Sequence, residues 1–240
     1  MQPWLRKHEH KIDDQFKDAV IVPGLIDPHL HPPMAAVLLP MHFITAMEWR
    51  LPWETVPAST TPEAFDQRLV ELISRNDPGE LLFTWGHHDL WHGAISRTRI
   101  NSISSDHPII VWNRSFHELC MNDAALEFLN ISEEDTRGME QIDYERGRFF
   151  EVGLGYALLK LNPYILAPER LKGGLKKLAQ VVHFGGQTTV ADLAVGMFDF
   201  DTELASQKEV FENSNTPFRV ELVANGMTLR RSHTLAETEA

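Results

Sequence analysis

Two histidines two positions apart, His29 and His31, close the stretch Pro23-Gly24-Leu25-Ile26-Asp27-Pro28-His29-Leu30-His31. In extended backbone, side chains at i and i+2 point the same way, so these imidazoles can address one ion. With 12 histidines and a single cysteine, Cys120, a metal site in this chain would draw on imidazole and carboxylate rather than thiolate. The pair is also compatible with a turn that shows both rings to solvent. The apolar strand, Pro-Gly and Ile-Asp ahead of it favour the ligand reading. A second cluster, His87, His88, Asp89 and His92, lies between Gly86 and Gly93. His88 and His92 have the spacing of one helix face, but few residues separate the glycines. A pocket rim with Trp85 and Trp91 is favoured there over a second metal site. Cys120 with His117 nearby is a nucleophile pair on paper only, since no base-orienting group or oxyanion hole is legible.

The elements that must hold these groups follow from pattern and punctuation. Residues 19–26, AVIVPGLI, read as a buried strand bent at Pro23-Gly24, and 27–33 as the loop leaving its C-terminal end. At that end of a parallel strand catalytic groups gather. Residues 34–60 read as an irregular excursion. Thr61-Pro62-Glu63 opens a helix with the stripe Phe65, Leu69, Leu72, Ile73. Strands are predicted over 81–85 and 109–112, an Asn122-capped helix to about Leu129, and a charged loop or hairpin over 131–148. Beyond them come a helix over 168–184 stopped by Gly185-Gly186, a strand over 188–194, a helix over 199–213 and a strand over 218–223. That α, β, α, β order indicates a parallel sheet with crossover helices.

The first segment resembles the opening strand of the metal-dependent amidohydrolase superfamily, Pro-Gly-hydrophobic-hydrophobic-Asp-x-His-x-His. The resemblance implies that His29 and His31 ligate a divalent metal, usually zinc, with Asp27 as a supporting carboxylate. Residues 106–126, DHPIIVWNRSFHELCMNDAAL, are similar to a segment of the family-3 amidohydrolases, which include enzymes similar to N-substituted formamide deformylase. His117 and Asn122 match positions there. His117 would line the substrate pocket with Trp85 and Trp91, or else be a core histidine; Asn122 reads as a helix cap. Gly86–Trp91 matches the branch loosely, and His87 and His88 depart from it. Gly147-Arg148-Phe149-Phe150-Glu151 matches a third segment, which makes Glu151 either a metal carboxylate or a surface residue. Gln187–Asp192 is similar to the next barrel strand, with Asp192 behind the metal site or capping the strand.

The fold expected is α/β, a partial TIM-barrel amidohydrolase with an inserted α/β region. Residues 1–33 would hold the first barrel strand and metal-binding loop, with a remnant of an N-terminal β-sandwich. Residues 34–165 would be the insertion and 166–240 a truncated continuation of the barrel. The function implied is metal-dependent hydrolysis of C–N bonds in amides or N-formyl compounds. The family's bridging Lys or Glu, later histidines and basic Asp find no counterpart after residue 225, and His233 sits in a polar tail. An N-terminal fragment is therefore expected, with its catalytic base unidentified. The rival is a catalytically inactive fragment or binding domain.

The net charge of −12 opposes nucleic-acid binding, and scattered Lys and Arg give no membrane-binding run. One cysteine excludes an internal disulfide. A cytoplasmic protein is expected, acting on a small-molecule amide, with homo-oligomerisation left open.

Overall fold

A computed structural model describes residues 7–212, 215–226 and 229. The polar tail over 230–240, with His233, lies outside them. The first elements are β1 (Leu25–Leu30), α1 (Pro32–Leu38), β2 (His42–Phe43), β3 (Trp49–Arg50), β4 (Thr55–Val56) and α2 (Pro62–Ile73). Next come β5 (Leu82–His87), α3 (Asp89–His92), α4 (Arg97–Ile103), β6 (Ile109–Asn113), β7 (Glu118–Met121), α5 (Asp123–Phe128) and α6 (Glu133–Thr136). The chain continues through β8 (Ile142–Asp143), β9 (Arg148–Phe150), α7 (Val152–Ile165), α8 (Pro168–Phe184), β10 (Gln187–Val195), α9 (Phe200–Phe211) and β11 (Arg219–Ala224). No helix of the described residues is long and apolar enough to cross a membrane.

Two sheets carry the architecture. β1, β10 and β11 form a parallel sheet in the order β1-β10-β11. The residues between β1 and β10 build a separate six-stranded sheet, β2-β5-β6-β7-β9-β8, parallel from β2 to β6 and antiparallel beyond. Side chains alternate across this second sheet. Leu82, Ile109, Val111 and Cys120 face α2 and α4 through Phe65, Leu69 and Ile100. Phe83, Ile110, Trp112, Leu119 and Phe149 join the larger core with Leu161, Leu171 and Leu175 of α7 and α8. No closed barrel forms among the described residues.

The helices follow their signals. Thr61 Oγ1 accepts from Ala64 N at 3.2 Å, Pro62 takes the first position, and Phe65, Leu69 and Leu72 are buried. In α8, Leu171, Leu175, Leu178 and Val182 are buried as their spacing predicts, and Gly185 follows. α1, not expected from the sequence, starts on Pro32-Pro33 and packs on α8. The two backbones approach so closely at Gly174 that a Cβ there would overlap the Ala36 carbonyl. Gly174→Ala is expected to lower stability by about 2 kcal/mol by urea unfolding, because α1 must move. Gly173→Ala, whose Cβ would meet open space, is expected to be neutral or slightly stabilising.

The first strand sits later than its composition suggests. The strand begins at Leu25, opposite Gln187, and not within 19–26. Val20, Ile21 and Val22 are 88%, 80% and 67% exposed. A β-branched run makes a strand only where a neighbour accepts its ladder, and β10 starts level with Leu25. Pro28, which has no N–H to donate, is tolerated because β1 lies at the sheet edge. The expected loop over 27–33 is therefore the second half of a strand followed directly by a helix.

Candidate metal centre and its surroundings

Asp27 fixes the end of β1. Its Oδ1 accepts from His29 N at 3.1 Å and its Oδ2 from Gln187 Nε2 at 3.3 Å, tying the strand to β10. His29 then lies on the strand, and His31 on the residue just before α1. Their Nε2 atoms converge to 3.2 Å, with the rings perpendicular and the centroids 5.0 Å apart. Two nitrogens held about 2.0–2.1 Å from one tetrahedral ion stand roughly 3.3 Å apart. The pair therefore has the spacing of two neighbouring coordination positions. His31 Nδ1 is buried with no hydrogen-bond partner.

Asp192 lies on the neighbouring strand, where it pairs with Leu30 in the ladder, and it is fully buried. Its Oδ2 accepts from Gln207 Nε2 at 2.8 Å and its Oδ1 from Ala194 N at 3.0 Å. Burial pushes its carboxyl above the ordinary value, while those two donors and the charge of His31 pull the other way. Asp192 is thus a buried acid on the strand next to β1. Among the described residues, no group of three or more His, Cys, Asp or Glu side chains comes together to hold a metal.

Glu151 does not join the pair. Its Oε1 faces His117 Nδ1 at 3.2 Å, and Glu151 N donates to the His117 carbonyl. Both side chains are largely solvent-exposed. Positive-φ backbone lies at this contact, in Phe116 at 66° just before His117 and in Glu151 itself at 47°. Glu151 precedes α7 without capping it; Gln141 Oε1 accepts from Val152 N instead.

Trp85 is 7% exposed and packs with Phe43, Trp49 and Phe116, so it is a core residue and not the pocket wall the sequence suggested. Trp91 lies on the surface in α3. His87 and His92 are fully buried around Phe65. Gly86, at φ 116°, breaks the β5–β6 register and turns His87 to that side. His87 Nε2 meets the Gly93 carbonyl at 3.0 Å and His92 Nε2 the Ser59 carbonyl at 2.8 Å. Both are structural imidazoles, and burial lowers both pKa values, that of His87 to about 4. Burial likewise pushes the Cys120 thiol up to about 12, which removes it as a nucleophile.

The sequence did not single out an open groove of about 920 Å³. Met34 of α1, Tyr156 and Leu159 of α7, and Met197 and Phe198 after β10 line it. Its signal was VGLGYALL over 152–159, more apolar than one buried helix face requires.

No family model matches the sequence, and no curated protein matches it. Two solved structures do. An uncharacterized metal-dependent hydrolase of Pyrococcus horikoshii matches 87% of this chain with a TM-score of 0.62 and 21% identity. An uncharacterized metal-dependent hydrolase of Pyrococcus furiosus matches 87% with a TM-score of 0.59 and 20% identity. The likeness is one of fold, and this chain spans 38% and 39% of their lengths.

Proposed function

We propose that this chain carries the first metal-binding strand of a metal-dependent hydrolase acting on C–N bonds of amides or N-formyl compounds. The observation that carries the reading is the 3.2 Å convergence of His29 and His31 Nε2 at the C-terminal end of a parallel strand. The fold likeness to two proteins described as metal-dependent hydrolases supports it. The choice of C–N chemistry rests on the resemblance of residues 23–31 and 106–126 to amidohydrolase segments. In this reading β1, β10 and β11 are neighbouring strands of a TIM-type barrel, and residues 34–165 are its insertion.

The chain's own contribution is positional. His29 and His31 would hold the ion, which is zinc in this reading. Asp27 holds the His29 backbone, and the buried Asp192 would support the pair from the neighbouring strand, where it is the ladder partner of Leu30. An ion held there would supply Lewis acidity toward a carbonyl and would lower the pKa of a water to about 7. One observation favours a second reading, a segment without turnover of its own: no third ligand joins the pair among the described residues.

Elemental analysis of protein purified without added metal, followed by zinc titration, tests the assignment. His31→Ala is expected to bind zinc at least tenfold more weakly than wild type. Equal metal in the two proteins would remove the ligand assignment. Tight zinc retention with appreciable amide turnover by the 240-residue chain would dismiss the second reading.

A further inference from the structure

We infer that the groove between α1, α7 and the turn after β10 is the ligand pocket of this site, built for a neutral or cationic molecule with a bulky apolar body. The inference rests on the hydrolase reading for its chemistry, but its geometry is independent of any metal. At about 920 Å³ the groove lies within the range of small-molecule pockets, about 300–1,000 Å³. Its position ties it to the histidine pair. Met34 belongs to the helix that starts directly after His31, and Met197 and Phe198 follow the strand that carries Asp192. Ligands of parallel α/β sheets sit outside the carboxyl ends of the strands in this way.

The wall is shaped for an apolar guest. Methionine thioethers adapt to irregular shapes, and Tyr156 and Phe198 offer flat faces. Leu159 is 70% exposed at the groove. The turn that carries Met197 and Phe198 is rigidly held. The buried Glu203 carboxylate accepts from the backbone N–H groups of Gly196, Met197, Phe198 and Asp199 at 2.6–3.0 Å. Charge decides which apolar molecules fit. Among the described residues Glu140 is the one charged residue lining the groove. Lys160, 5.7 Å from the centroid of the Tyr156 ring, is not part of the lining and donates to the Asn130 carbonyl, and the chain carries a net charge of −12. An anionic head group would find no cationic side chain in the described lining and would face Glu140, whereas a neutral or positive one meets no such opposition.

Two dyes with the same skeleton test this. N-phenyl-1-naphthylamine is neutral, and 1-anilinonaphthalene-8-sulfonate adds a sulfonate. Fluorescence titrations in a metal chelator should show the neutral dye binding at least tenfold more tightly. Gly155 faces the groove and has open space around its Cβ position. Gly155→Phe adds a ring from an open position in the groove lining and is expected to weaken the neutral dye at least tenfold. Gly173→Phe, at an equally open position on α8, should leave binding unchanged. Equal binding of the two dyes, or a Gly155→Phe variant that binds like wild type, overturns the inference. A wild-type dimer in sedimentation that Gly155→Phe dissociates would assign the groove to a second copy and also overturn it. Zinc retention by the wild type against His31→Ala reports on the metal reading alone, so the two can fail separately.

Discussion

Asn122→Ala is expected to lower the unfolding free energy by about 3–5 kcal/mol, the largest effect of any single substitution considered. The side chain is fully buried and uses all its hydrogen-bonding capacity. Oδ1 accepts from Ala125 N at 3.0 Å, capping α5, and from Ile109 N at 2.9 Å, at the start of β6. Nδ2 donates to the Ser104 and His107 carbonyls at 3.0 and 2.7 Å. Alanine would strand four backbone groups in the interior. Each buried, unmet group costs about 1–3 kcal/mol, and local relaxation trims the sum. Urea unfolding followed by circular dichroism measures the loss. A loss below about 1 kcal/mol, in the range of an ordinary exposed cap, would show that water takes over these bonds.

The second large effect is acid lability centred on His87. Burial holds its pKa near about 4, below the ordinary 6.5, because a charged imidazole finds little solvation beside Phe65. The unfolded chain therefore takes up the proton at a higher pH than the folded one. Stability from this group is fully present above about 6.5 and drains as pH falls toward 4. The full loss is about 3 kcal/mol. His92, lowered for the same reason, adds in the same direction. Asp192 and Glu203, raised by burial, act in the opposite sense, since acid favours their folded forms. Comparing wild type with His87→Gln isolates the histidine. Urea midpoints between pH 7 and 4 should fall more steeply in the wild type, and parallel curves would remove His87 as the cause.

What could be read from the sequence was mostly what is local. Thr61, Pro62 and the stripe through Leu72 announce α2, and Asn122 announces the cap of α5, because both signals lie within a turn of the residues they serve. The side-chain geometry at His29 and His31 was legible for the same reason. What failed depends on distant partners. Val20-Ile21-Val22 has a strand's composition, but the register of β10 starts the strand at Leu25. α7 went unread because glycines open it, Pro163 sits in its last turn and its cap comes from Gln141. The contact of His117 with Glu151 joins residues 34 apart through strained backbone that no local pattern advertises. Trp85 carries the same residue type a pocket rim would need, and only the stacking of Phe116 and Trp49 places it in the interior.

The tie between Asp27 and Gln187 spans 160 residues of chain. Closing so long a loop is entropically slow compared with the short-range pairing of β5, β6 and β7. During synthesis, His29 and His31 leave the ribosome before β10 and wait for it before their strand has a neighbour. The six-stranded sheet has by then all of its own residues, so the imidazole pair gains its supporting strand only after that sheet is able to form.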